Sequence, residues 1–151
     1  MVNENLIAEI TAAFENVELD GGTGLSEADA MDSYKDDKFL AECRIKDEKH
    51  SWQLIPVHEL NKHHNGLSYF DAKGMRFHLP AFMIAIIKNE YRFDIPYVLT
   101  DVSGNSNHLF ALFSEKQKHA VKLFLEYLLE NKDYEFDHPN IETVIENYWS
   151  L

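Results

Sequence analysis

The stretch Leu67-Ser68-Tyr69-Phe70-Asp71-Ala72-Lys73-Gly74-Met75-Arg76-Phe77-His78-Leu79-Pro80 decides how this 151-residue chain is read. Residues 67–70 and 75–79 are two short runs rich in aromatic and large apolar side chains, with Asp71-Ala72-Lys73-Gly74 between them. Gly74 can supply the positive φ of a tight return, so the pattern predicts an antiparallel β-hairpin over about 67–79. An isolated hairpin is marginal in water, so helices must cover one of its faces. Alternation would put Phe77 and Leu79 on one face and Arg76 and His78 on the other, with Tyr69 on the paired strand. Pro80 would then open a helix running to about Arg92, apolar on nearly all sides and therefore central.

Helical periodicity dominates outward from that stretch. Asn3 is placed to cap a first helix carrying Leu6, Ile7, Ile10, Phe14 and Val17 on one face, ended by Asp20-Gly21-Gly22. Ser26, with Asp29 three residues on, starts a second short helix. A third is expected over about 37–45, with Phe39, Leu40 and Cys43 inward. The intervening 20–38 is acidic, rich in small residues and short of large apolar anchors, so it is the expected mobile segment. Pro56 fits the first turn of a helix that Asn65-Gly66 stops. Residues 95–99 read as extended, 103–107 as a loop, and 109–113 as a short strand or the approach to a helix. Ser114 and Gln117 form a capping box for the most secure helix, to about 130, with Ala120, Val121, Phe124, Leu125 and Leu128 as its stripe. Pro139 begins a last helix carrying Ile141, Val144, Ile145, Tyr148 and Trp149. The expected fold is α+β and predominantly helical: a single domain over 1–151, of about six to seven helices and one hairpin.

Charge and composition narrow the function. The net charge is −12, with −9 in residues 1–48, +3 in 49–92 and −6 in 93–151. Phosphate backbones would be repelled by the molecule as a whole, so no nucleic-acid partner is expected. The longest apolar run is too short to span a bilayer, and no N-terminal stretch has the layout of a signal peptide. With Cys43 as the only cysteine, a reducing cytoplasmic location is expected. The sequence sets no oligomeric state.

Catalytic signatures are lacking. His58-Glu59-Leu60-Asn61-Lys62-His63-His64 resembles a zinc-protease helix, but Lys62 stands where the second ligand belongs. His63 lies about 140° around the helix from His58, so the two cannot chelate one ion. No phosphate-binding glycine loop or nucleophile elbow is present, and no cofactor, metal ligand or catalytic residue is assigned. Trp52, Tyr69, Arg76 and His78 remain as a candidate ligand-binding group beside the hairpin, of basic character and suited to an anion or a partner's acid. A structural use of the same residues competes, with Arg76 pairing to Asp71 and His78 meeting a helix end.

The order of these features resembles a family of small uncharacterised bacterial proteins classed as a domain of unknown function. The resemblance rests on Trp52-x-x-Ile55-Pro56, on Leu67-Ser68-Tyr69-Phe70-Asp71 and on Arg76-Phe77-x-Leu79-Pro80-Ala81-Phe82-Met83. Ser114-x-x-Gln117 before Ala120-Val121-x-x-Phe124-Leu125 completes it. It covers roughly residues 50–130 and implies an architecture without an assigned activity.

The leading functional expectation is a non-catalytic interaction domain, similar in composition to immunity proteins that neutralise toxins. It would meet a basic protein through Asp32, Asp36 and Asp37. The alternative is a small-molecule or metal-dependent enzyme with its site near 67–79. A third expectation is self-association through exposed Tyr148 and Trp149.

Overall fold

The computed structural model describes residues 3–101 and 108–150. Among them there is no strand, so the fold is all helical and not α+β. The helices are α1 (Glu4–Ala13), α2 (Leu25–Asp32), α3 (Asp37–Lys46), α4 (Val57–Lys62), α5 (Ala72–Ile87), α6 (Pro96–Thr100), α7 (Glu115–Leu129) and α8 (His138–Val144). Short 3₁₀ turns at Trp52–Leu54, His64–Ser68 and Lys132–Asp137 link them, and a π-turn at Ile145–Trp149 extends α8.

The expected hairpin is instead the first half of α5, with His64–Ser68 as the turn leading to it. Asp71 is the helix N-cap: its Oδ1 accepts the N–H of Gly74 at 2.8 Å and, from across the fold, that of Thr23 at 3.0 Å. Gly74 is glycine for close approach and not for a turn. A Cβ there would lie 2.8 Å from the Thr23 carbonyl oxygen, and one on Gly22 would lie 2.6 Å from Lys73 Cβ. The alternating run 75–79 carries a helical stripe as well. All of α5 is buried except Ala72, Lys73, Arg76 and Ile84, which lie at helical spacings. Burial on almost every side removes the polar alternation that would separate helix from strand.

Pro80 sits inside α5 rather than opening it. It supplies no N–H to the Arg76 carbonyl, and an interior proline costs a helix about 3 kcal/mol. Burial of Phe77, Leu79, Phe82, Met83, Ile86 and Ile87 offsets this, since each fully buried large side chain contributes about 1.5–3 kcal/mol. The helix therefore runs through the proline as the axis of the core. α1, α4 and the Trp52 turn pack against it, and α7 packs on α1 and α8.

Several end signals act as the sequence indicates. Asn3 Oδ1 accepts the Leu6 N–H. Ser114 and Gln117 exchange both bonds of a capping box at 3.1 and 2.9 Å. Others differ. α1 ends at Ala13, well before Asp20-Gly21-Gly22. Residues 96–100 are helical, not extended, and 108–110 form a 3₁₀ turn; the expected loop at 103–107 lies outside the described residues. α2 starts at Leu25, and Ser26 is not its cap. Asp47 caps this helix from the far side of α3, accepting the N–H groups of Ser26 and Glu27 and the Ser26 hydroxyl.

The stretch 20–38, expected to be mobile, is stitched down. Arg44 donates to the Gly22 carbonyl and to Glu27 Oε1, Lys73 Nζ to the Asp20 carbonyl, and Arg76 Nη2 lies 3.4 Å from Asp20 Oδ2. Leu25, Ala28 and Ala30 anchor α2 in the core.

Candidate interaction surface

The residues expected to bind a ligand are separated by this fold. Trp52 is buried, and its indole N–H donates to the Phe14 carbonyl at 2.9 Å, tying the segment before α4 to the end of α1. His78 is fully buried in α5. Its Nδ1–H donates to the Gly74 carbonyl at 2.7 Å, and its ring stacks on Phe70 at 4.3 Å with Phe77 edge-on. Nε2 is buried with no hydrogen-bond partner among the described residues, and burial lowers the pKa to about 4, so the ring is neutral at pH 7. Arg76 turns to Asp20 rather than to Asp71. Tyr69 is the most exposed of the four, and Asp32 raises the pKa of its phenol. Trp52 and His78 are thus core residues.

An open groove of about 790 Å³ lies between α2, α3 and residues 48–63. Its existence follows from how α3 is built. The expected inward side chains Phe39, Leu40 and Cys43 are only partly covered, and α3 has no buried residue at all. The helix is held by polar contacts at its ends. Asp36 Oδ1 accepts the Phe39 N–H, while Arg44 and Asp47 bind the start of α2. Phe39 and Cys43 therefore line an unfilled space, opposite Leu54 and Pro56.

Polar groups stiffen the walls of the groove. His63 bridges α2 and α4, with Nδ1 at 2.8 Å from Asp29 Oδ2 and Nε2 at 3.2 Å from Glu59 Oε2. The zinc-protease look-alike is thus a brace between helices, and His58 meets Glu59 on its exposed side. Among the described residues no cluster of His, Cys, Asp and Glu could hold a metal ion. Glu48 accepts the N–H groups of His50 and Ser51, and the His50 amide is the main cause of its lowered pKa.

The three expected partner-binding acids divide between two faces of this region. Asp36 and Asp37 are exposed at the start of α3, and Asp32 faces Tyr69 on the other side of α2. Between them stands Tyr34, 92% exposed and held at φ +57°. Sequence spacing alone puts Tyr34 on an apolar stripe with Ala28 and Met31, whereas it stands beyond the end of α2 and faces solvent. The available signal was its position just past the helix end, among Asp32, Ser33, Lys35 and Asp36.

A family model, the family of unknown function DUF6714, matches residues 2–151. The chain belongs to that family. No curated protein and no solved structure matches it. In this DUF6714 chain no helix among the described residues is long and apolar enough to cross a membrane. The aromatics expected to drive self-association are not free for it. Trp149 is buried, with its indole N–H on the Leu99 carbonyl, and Tyr148 packs partly buried beside Phe110.

Proposed function

We propose that this is a non-catalytic interaction domain, immunity-like in style, which presents the α2–α3 turn and the adjoining groove to a basic protein. The observation that carries this reading is a ten-residue helix without a buried residue, next to an almost fully exposed tyrosine. A left-handed backbone at a bulky residue costs on the order of 1 kcal/mol, so Tyr34 is displayed against a local preference. Aromatic side chains ringed by polar groups are the usual anchors of interfaces. The net charge of −12, most of it in the segment that forms α1 to α3, would steer a basic partner to this face.

Affinity capture from the native host is expected to recover a basic protein. With Asp32, Asp36 and Asp37 all changed to Asn, recovery should fall by roughly fivefold or more, and added salt should mimic the loss. Undiminished recovery by the triple variant would remove this surface from consideration.

A further inference from the structure

We infer that Tyr69, Phe93 and Tyr97, grouped around the His64–Ser68 turn, form a platform for guanidinium groups of an arginine-bearing partner. The grouping is fixed by contacts. Phe93 lies flat on His64, with ring centroids 3.5 Å apart and planes within 6°. The Tyr97 hydroxyl is 2.8 Å from Ser68 Oγ, and Tyr69 follows Ser68 directly. These aromatics are 39%, 40% and 54% exposed for Tyr69, Phe93 and Tyr97, and the turn they surround packs against α2. Among the described residues each keeps a good part of its ring uncovered, and grouped solvent-facing aromatic surface marks a binding face.

The carboxylates nearby select the occupant. Asp32 stands beside Tyr69, and Asp94 follows Phe93 in the chain and lies near Tyr91. Neither makes an ion pair among the described residues, where the acidic partners in such pairs are Glu18, Asp20, Glu27, Asp29 and Glu59. A planar guanidinium can stack on an aromatic face while its N–H fork reaches a carboxylate. The ammonium of lysine is more strongly hydrated and does this less well. The field of a chain with charge −12 favours a cationic segment over a neutral or acidic one. The inference rests on the interaction reading but concerns a different face of α2 from the groove.

Fluorescently labelled oligo-arginine and oligo-lysine amides of equal length, titrated against the intact chain at physiological ionic strength, separate stacking from simple charge attraction. Oligo-arginine is expected to bind roughly tenfold more tightly than oligo-lysine. Phe93→Ser combined with Tyr97→Ser should abolish that preference, and Tyr97→Phe, which keeps the ring, should retain it. Asp36→Asn with Asp37→Asn should weaken both peptides alike and leave the preference intact. Equal binding of the two peptides by the unaltered chain, or a preference that survives loss of both rings, would overturn the inference. If the double variant fails to fold, the ring resonances of Phe93 and Tyr97 in the unaltered chain decide: they should shift on adding oligo-arginine, and unmoved resonances would overturn it. An intact arginine preference together with unchanged partner capture by the Asp36→Asn, Asp37→Asn variant, which leaves Asp32 in place beside Tyr69, would strike only the α2–α3 turn reading.

Discussion

Trp52→Ala is expected to destabilise the domain by about 3–5 kcal/mol, the range for truncating a buried large aromatic. Trp52 is buried against the core, and its indole N–H satisfies the Phe14 carbonyl at the end of α1. Removal leaves a cavity beside α5 and an unpaired carbonyl. Trp52→Phe separates the two contributions, because it fills most of the volume and loses only the hydrogen bond. It should cost about 1–3 kcal/mol, the penalty for a buried acceptor left without a donor together with a small loss of packing. Urea unfolding followed by far-UV circular dichroism measures both, with an unchanged slope confirming that the native state was altered in stability alone. Were Trp52 a ligand-binding residue on the surface, both substitutions would be nearly neutral.

Acidification from pH 7 to pH 4 is expected to remove about 3 kcal/mol of stability through His78 alone. The ring titrates near 6.5 in the unfolded chain and at about 4 in the fold, where burial disfavours the cation. Between those values the unfolded chain binds the extra proton and the native state does not. Stability therefore falls as the pH drops through 6.5 toward 4, and the contribution levels off below the folded pKa. His78→Phe keeps a flat ring against Phe70 and has nothing to titrate. Carboxylates also destabilise the fold in acid, so the informative quantity is the difference between the two proteins. The variant should lose about 3 kcal/mol less than the unaltered chain between pH 7 and pH 4, by denaturant unfolding at each pH. Parallel pH profiles would show that His78 is solvated.

Both expectations concern residues that looked like a binding site in the sequence, and the reason is physical. Trp, Tyr, Arg and His close to a turn are equally the vocabulary of a ligand pocket and of a core with a few satisfied polar groups. The hairpin reading rests on two apolar runs about Gly74, with Pro80 as the start of the next helix; both residues ordinarily break helices. Here Gly74 admits the Thr23 carbonyl, and Pro80 is carried by burial on all sides. Neither cause is local, since both need the segment 19–24 and the surrounding helices in place. Where the determinants are local, the sequence suffices: the Asn3 cap, the Ser114–Gln117 box and the stripe of α7 all stand as read. Asp71 could have been read in the same way. An Asp three residues before an N–H donor is an N-cap pattern, and Lys73 with Arg76 forms the single polar stripe of an otherwise buried helix.

The surface features were legible in part. Uneven charge pointed to the arms, and Asp36 and Asp37 are indeed exposed. The groove was not legible, because Phe39, Leu40 and Cys43 have the spacing of an inward face, and only packing shows that Phe39 and Cys43 line an open groove. Nor was the aromatic platform, which joins residues from the His64–Ser68 turn to Phe93 and Tyr97 nearly thirty positions later.

The claim on which the placement of every site depends is that residues 72–87 form one helix through Pro80, with His78 and Arg76 committed to the fold. Backbone chemical shifts of the isotopically labelled protein test it directly. Helical Cα shifts running without interruption from Ala72 to Ile87 are the expected result. Extended shifts over 75–79, with cross-strand contacts to 67–70, would contradict it and return Arg76, His78 and Tyr69 to a common surface.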